Sequence, residues 1–386
     1  MTSKKAEEFS LLGGPFHRLR KRLGLGQGGP HPIRLGLAIG GSLWAILIGL
    51  HAIEGTPVSA LSAQVLGGHV RFLVAVPLFF WCEALFASRP GEVLSGLVRS
   101  QVVPVAAAPA FNLELARISR WKDSWLPELA CLAAAVLLSA FGSRLDLFAG
   151  TAVPELGAAT RGMTLSGLFY WLVCLPTFRY LLFRWLWRLG LWSYLLWRLS
   201  RLKLALVPTH PDGMAGLGTL DLVNTTLVPL VFANSAVQAA SFAEEISGGT
   251  MAFEEIYPAL VLILFVDAVL FVGPLFLFAP ALFRARGNGL LRYMPFASRY
   301  VNAFDQKWIE EGDAQRESPL GTADLQSLAD LNNSVRVITD LRLVPVSRRL
   351  LLTLAVAAVV PMLPLMLLVQ PASALAQKLV EMLLGM

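Results

Sequence analysis

The sequence predicts an all-α fold: a polytopic bundle of about seven transmembrane helices, with the N-terminus on the cytoplasmic side. Of the 386 residues, 55% are hydrophobic and only 15% are charged, whereas soluble domains contain about 25% charged residues. The mean hydropathy is +0.62. Several stretches approach the roughly 20 apolar residues that cross a bilayer core of about 30 Å. Basic residues are concentrated in every second connection between these stretches.

Seven apolar stretches are the predicted spans. They cover residues 35–53, 69–87, 125–142, 163–178, 222–243, 256–283 and 350–369. The second contains Glu83 and the third Glu128, both near the cytoplasmic edge, where structural or snorkelling roles are favoured. In the sixth, Gly273-Pro274 is expected to break or bend the helix, and prolines 361 and 364 are expected to kink the seventh.

The basic residues determine the predicted orientation. Residues 1–34, 88–124, 179–221 and 284–349 contain 28 of the 32 lysines and arginines. Cytoplasmic loops of membrane proteins carry such an excess. The pattern therefore predicts an inner (plasma) membrane protein of bacterial type, with the N-terminus inside and the C-terminus outside.

The chain divides into four predicted regions. Residues 1–33 are a flexible basic arm, 34–283 a membrane domain with spans one to six, 284–349 a cytoplasmic helical segment, and 350–386 span seven with an outer-surface amphipathic tail. The cytoplasmic segment has one apolar helical stripe, which is expected to pack on the membrane domain or on a partner subunit. The stripe consists of Leu325, Leu328, Leu331, Val335 and Ile338.

No pattern of metal ligands or of phosphate-binding loops is present in the sequence. All three cysteines lie in apolar segments and are interpreted as small hydrophobic residues. We therefore expect no cofactor, no metal and no catalytic residue, and enzymatic activity is not favoured.

Asp267 is the most informative single residue. It lies near the middle of the sixth span, about 15 Å deep at 1.5 Å per residue. A carboxylate at that depth is costly unless it is paired, protonated or wetted. It is interpreted either as an ion or proton site, or as a buried aspartate that bonds a neighbouring helix.

The fifth span has a polar face that could line a transport path with Asp267. Such a face suits a pore lining, but it also suits a helix–helix interface held by amide and hydroxyl groups, which is the favoured interpretation. The path residues predicted from these two spans are Asp267, Asn224, Asn234, Ser235 and Gln238.

A basic, aromatic stretch follows the fourth span and leads into a glycine-rich loop. Arginine and tryptophan side chains at this position favour membrane anchoring, with an anion or phospholipid site as the alternative and nucleic acid not expected. The loop could hold an anion on its backbone N–H groups, or be a tight turn capped by Asp212. The candidate residues for a loop or anion site are His210, Asp212, Gly213, Gly216, Gly218, Arg184 and Arg188.

Two segments carry a resemblance to known proteins. Residues 209–218 (THPDGMAGLG) and 321–331 (GTADLQSLADL) resemble a family of bacterial multi-pass membrane proteins that pair an HPDxAGGLG loop with a later SLADL segment. The similarity covers the chain from roughly residue 30 onward, and it implies architecture rather than an activity. Met214 stands where the family has Ala, and Ala215 where it has the first Gly. The resemblance also implies that His210, Asp212 and the 324–331 helix act together on the cytoplasmic face.

Three functions are consistent with the sequence. The first is a channel or transporter for a small ion or solute. The second is a non-catalytic membrane scaffold or signalling partner that docks a cytoplasmic protein through the helix around residues 325–338. The third is a phospholipid-handling protein. The expected partners are the lipid bilayer with its anionic phospholipids, a cytoplasmic protein, and further copies of the chain in a homo-oligomer.

Overall fold

The computed structural model describes residues 2–22, 32–55, 66–141, 164–249, 256–310 and 322–365. All regular secondary structure in these ranges is helical, which confirms the predicted all-α class. The predicted amphipathic tail after span seven lies outside the described residues.

We label the main helices of the described residues in chain order. They are α1 (Thr2–Glu7), α2 (Pro15–Arg22), α3 (Pro32–Ile53), α4 (Leu66–Arg99), α5 (Ala108–Asp123), α6 (Leu126–Phe141), α7 (Leu165–Ser200), α8 (Asp221–Thr225), α9 (Val228–Ser247), α10 (Ile256–Phe271), α11 (Ala279–Asp305), α12 (Ala323–Thr339) and α13 (Arg348–Leu365).

Four of these helices, α3, α4, α7 and α13, are each long and apolar enough to cross a membrane. Three further candidates are helix pairs bent at a short break. They are the pairs at α5–α6, bent by 47°, at α8–α9, bent by 43°, and at α10–α11, bent by 48°. The described residues therefore contain four candidate spans, or up to seven if each bent pair is one span.

Proline explains two of the breaks. Pro274 has no N–H and cannot continue the helical hydrogen bonds, and the next residue, Leu275, donates to the Val272 carbonyl at 3.0 Å. This confirms the break predicted at Gly273-Pro274. Pro229 has the same effect in the first turn of α9, a break that was not predicted from the sequence. Pro361 lies in a 3₁₀ turn, Val360–Met362, but α13 continues to Leu365.

Helices α3 and α4 approach closely at two glycines spaced four residues apart. A Cβ at Gly40 would overlap the carbonyl oxygen of Phe72, and one at Gly36 would lie 2.7 Å from the Cα of Pro77. Small residues at this spacing let two helices pack backbone to backbone.

The N-terminal residues are packed, so the prediction of a flexible arm is wrong for residues 2–22. Ala6, Phe9, Leu11 and Leu12 are all at most 7% exposed. The Ser10 hydroxyl donates to the carbonyl of Ala87 at 2.8 Å. The physical reason is that apolar side chains are interspersed among the basic ones, and their burial outweighs the tendency of a glycine-containing basic segment to stay solvated. Residues 23–31 of that arm lie outside the described residues.

Helices α11 and α12 form an antiparallel hairpin. The predicted apolar stripe of α12 faces α11, and its last member, Ile338, is fully buried. At the base of the hairpin, a Cβ at Gly289 would lie 2.8 Å from Pro208 and 2.9 Å from Ile338. The stripe therefore packs against this chain's own helix, close to the segment that precedes the glycine-rich loop.

Candidate functional site

The carboxylate of Asp267 faces α9. The side chain of Asn234 donates from Nδ2 to its Oδ1 at 3.4 Å, and Asp267 is only 7% exposed. Its second oxygen, Oδ2, is buried and has no hydrogen-bond partner among the described residues. Asn234 and Asp267, which were predicted in spans five and six, thus lie side by side. One oxygen of the Asp267 carboxylate accepts no hydrogen bond from the described residues.

Asn224 lies beside the break between α8 and α9 and bonds the residue at the break between α10 and α11. Its Nδ2 donates to the Phe271 carbonyl at 2.5 Å, and its Oδ1 accepts from the Trp192 indole at 3.2 Å. The Phe271 carbonyl ends α10 and would be paired with Leu275 in a continuous helix. Asn224 therefore satisfies a backbone group that the proline break releases.

The remaining predicted path residues, Ser235 and Gln238, have different surroundings. The Ser235 hydroxyl donates to the Ala358 carbonyl of α13 and is fully buried, whereas Gln238 is half-buried. Of the five predicted residues, the structure joins Asp267 to Asn234. It uses Asn224 and Ser235 to bond neighbouring helices, as the interface interpretation of span five requires.

The glycine-rich loop is organised around Asp212. Its carboxylate accepts the backbone N–H groups of Met214 at 2.8 Å, Gly216 at 3.1 Å and Gly218 at 2.9 Å. Burial alone would raise the pKa of Asp212, but these N–H donors outweigh burial and hold the pKa below its usual value. The N–H groups proposed to hold an external anion are thus occupied by the chain's own carboxylate, as the capped-turn interpretation requires.

Three residues of this loop have left-handed backbone conformation. Gly213 has φ of +64°, Gly216 of +95° and Ala215 of +54°. Glycine adopts this region without strain, whereas alanine does not. Ala215 therefore holds a strained conformation that a glycine would adopt freely. His210 Nδ1 lies 2.9 Å from the Asp212 carboxylate.

Arg184 and Arg188 do not lie at this loop. Both are buried in α7, about 18 to 24 Å along its axis from Ser200 at the rise of an α-helix, and each faces a carboxylate. Arg188 donates to Glu83 of α4 at 3.0 Å, and Arg184 Nε is 3.8 Å from Glu128 of α6. The basic stretch therefore continues the helix of the predicted fourth span, as part of α7. Its arginines 184 and 188 are buried by other parts of the protein and not by lipid headgroups. Glu83 and Glu128 take the structural role predicted for them.

The 324–331 segment is also separated from the loop. Asp324 lies at the tip of the hairpin, where its carboxylate accepts from Lys307 Nζ at 2.8 Å. This hydrogen bond, followed by one from Trp308, lowers the pKa of Asp324. Only the base of the hairpin reaches the loop, where Arg342 N donates to the Gly213 carbonyl at 2.9 Å.

A buried polar cluster that the sequence analysis missed joins α4, α7 and α9. The Arg71 guanidinium donates to the Tyr170 hydroxyl and, at 3.4 Å, to the Ser241 hydroxyl. Arg71 begins one π-helical segment and Tyr170 begins another. Such segments recur at functional sites. An arginine inside the second apolar stretch, residues 69–87, was the available signal in the sequence.

An open groove of about 750 Å³ runs between α11 and α12. Its apolar lining includes Met294, Val301, Leu325, Leu328 and Val335. By contrast, the described residues contain no group of three His, Cys, Asp or Glu side chains arranged to hold a metal ion.

Comparison with known proteins gives no information on function, so function is inferred from the geometry of the described residues. The resemblance carried by residues 209–218 and 321–331 therefore stays a prediction. The chain matches no protein-family model, no curated protein and no solved structure.

Proposed function

We propose that this chain is a multi-pass protein of the bacterial inner membrane, with seven spans and a cytoplasmic N-terminus, that carries a proton or a small cation past Asp267. The observation behind the proposal is the buried carboxylate, which has one oxygen bound to Asn234 and the other without a hydrogen bond from any described residue.

The depth of Asp267 supports an ion-binding role. It follows Ile256, the first residue of α10, by 11 positions, which corresponds to roughly 16 Å of helix. An ionised aspartate at the centre of a bilayer costs about 2.5–3.5 kcal/mol on insertion scales. The amide of Asn234 supplies a single donor. A proton or a cation on Oδ2 would remove the remaining cost.

The neighbouring residues supply a short polar route. Asn234 and Gln238 are four positions apart and share a face of α9, while Asn224 lies at the broken end of the same pair. The route therefore consists of Asn234 and Gln238 beside Asp267, whereas Asn224 and Ser235 hold neighbouring helices together.

The test is ion flux in proteoliposomes. Purified protein is reconstituted with a pH-sensitive dye inside, and a potassium diffusion potential is imposed. Parallel samples measure uptake of radioactive sodium. We expect wild-type protein to carry protons or sodium, and Asp267→Asn to lower the rate by at least about tenfold, as loss of an essential charged ligand does. Asp340→Asn, at an exposed ion pair of α12, is the matched control and keeps the wild-type rate. Equal rates for wild type and Asp267→Asn would contradict the proposal.

The proposed orientation has its own test. Alkaline phosphatase, which is active only outside the cytoplasm, is fused after residue 386, and separately after residue 305. The proposed topology gives activity for the first fusion and none for the second. The opposite pattern, or activity in both, would exclude seven spans with the N-terminus inside.

A second candidate, a scaffold, is favoured by the groove between α11 and α12. The apolar lining and open shape suit an amphipathic helix from a cytoplasmic partner. Leu325, 46% exposed, would contact such a helix directly. Crosslinking of photoreactive amino acids at positions 325 and 294 in cells would capture one protein at both positions, and Leu325→Asp would abolish the crosslink at 294. A control residue on the outer face, Asn333, should capture nothing. Absence of a shared crosslinked product excludes this function.

A further inference from the structure

A small cavity lies where the N-terminal segment crosses the turn between α5 and α6 and the middle of α7. Its volume is about 20 Å³. Half of its ten lining residues are polar or charged, namely Lys122, Ser124, Glu128, Arg184 and Arg188.

Arg184 is incompletely paired in this cavity. It is 5% exposed, and its Nη2 is buried with no hydrogen-bond partner among the described residues. The Glu128 carboxylate is 3.8 Å from its Nε, too far for a hydrogen bond. Phe16 stacks on the guanidinium, with the ring centroid 4.4 Å from Cζ.

The other charges around the cavity leave a positive excess. Three cations and one carboxylate line it within the described part of the chain. Arg188 is already paired with Glu83, which lies behind it. The Glu128 Oε2 atom accepts the backbone N–H of Phe16 at 2.9 Å.

Lys122 is the remaining cation. Its ammonium donates to the Leu12 carbonyl at 3.2 Å, and the nearest acid, Asp123, is 3.9 Å away with its side chain 51% exposed. Surface acids are screened by water and compensate a buried charge poorly. Glu128, whose side chain is 16% exposed, is therefore the one carboxylate that lines the cavity beside Lys122 and Arg184 in the described part of the chain.

We propose that this cavity is a binding site for one small inorganic monoanion of the size of chloride. A water molecule would give Arg184 Nη2 an acceptor, but an anion supplies both the acceptor and the missing negative charge. A buried cation whose charge is only partly compensated is destabilising. A cavity of at least roughly 10–15 Å³ holds one water molecule, so about 20 Å³ suits one monatomic ion better than a larger oxyanion or a lipid headgroup.

The site is independent of the proposed ion path. It is built by the N-terminal segment with α5, α6 and α7, whereas Asp267 lies on α10 against α9. Its occupant would hold residues 11–16 against the bundle, because the anion would bridge Lys122, which binds the Leu12 carbonyl, to Arg184, which stacks on Phe16.

The test is anion-dependent thermal stability of the full-length protein in detergent. Protein is exchanged into sodium gluconate, and gluconate is replaced stepwise by chloride or bromide at constant ionic strength. We expect a saturable rise in melting temperature of about 2–4 °C with chloride. Sulfate should produce no such rise. Arg184→Gln should abolish the response, and Arg336→Gln, on the exposed face of α12, should keep it.

Lys122→Gln covers the case in which Arg184→Gln fails to fold. Glutamine can still donate to the Leu12 carbonyl but removes one positive charge, so we expect the chloride midpoint to rise by about tenfold. Three outcomes would overturn the proposal: equal melting temperatures in chloride and gluconate, which indicate a water-filled cavity; an unchanged chloride response in both variants; or a rise produced by phosphatidylglycerol and not by chloride.

Discussion

The Arg188 guanidinium donates to the Glu83 carboxylate at 3.0 Å, and neither side chain is more than 5% exposed. This ion pair ties α7 to α4 through two residues that are 105 positions apart in the chain. Both charges lie on helices that are candidate spans. Their pairing allows these helices to bury charged groups without facing lipid.

Removing one partner of this pair should destabilise the protein strongly. Arg188→Met takes the cation away from a buried carboxylate, and such changes cost about 3–5 kcal/mol. The double variant Glu83→Leu with Arg188→Met should regain at least half of that loss, since an apolar pair carries no uncompensated charge. Melting temperatures in detergent measure both effects.

The exposed pair Arg89–Glu92 is the control for this measurement. Its side chains are 51% and 48% exposed, and Arg89→Met should change stability by at most about 1 kcal/mol. If the Arg188→Met protein had the same melting temperature as the wild type, the buried pair would not be required for stability.

Asp212 should make stability depend on acidic pH. Its pKa in the folded state lies below the usual value, and the unfolded value is about 3.9. The stabilisation is therefore complete above the unfolded pKa and disappears as the pH falls through the folded pKa. The melting temperature of the wild-type protein should fall below about pH 5. The melting temperature of Asp212→Asn should be lower at pH 7 and should change less on acidification.

Melting curves between neutral and acidic pH would check this dependence. Asp340→Asn, on the exposed end of α12, should follow the wild-type profile. Parallel curves for wild type and Asp212→Asn would mean that the three N–H bonds to the carboxylate contribute no net stability.

Two adjacent glycines of α3 should respond oppositely to the same substitution. Gly40→Ala places a methyl group against the Phe72 carbonyl, and overpacking of this kind costs about 1–3 kcal/mol. At Gly41 no atom lies within 4 Å of the added Cβ. Gly41→Ala should therefore be neutral or stabilising by up to about 1 kcal/mol, because alanine is the better helix former.

The melting temperatures of the two variants can be compared directly, since composition and helix are the same. Equal values for Gly40→Ala and Gly41→Ala would show that α3 does not pack on α4 at Gly40.

Several features of the fold and of the candidate site were predictable from local sequence. The apolar stretches form helices, Gly273-Pro274 breaks one of them, and Asp212 caps the loop that follows α7. The polar contact between spans five and six was anticipated through Asp267. The packing of the N-terminal segment was not predicted. Its apolar residues are interspersed among basic ones, and they become buried only because the folded bundle offers a surface for them to cover.

The sequence by itself determined which segments are helical, since hydropathy, proline and glycine act within a few residues of their own position. Only the tertiary structure decided which buried polar groups meet. Glu83 pairs with Arg188, Arg71 bonds Tyr170, and Asn224 satisfies the carbonyl of Phe271. Each of these contacts joins residues tens of positions apart. Their energy depends on distance and burial in three dimensions, which the spacing of residues along one chain does not encode.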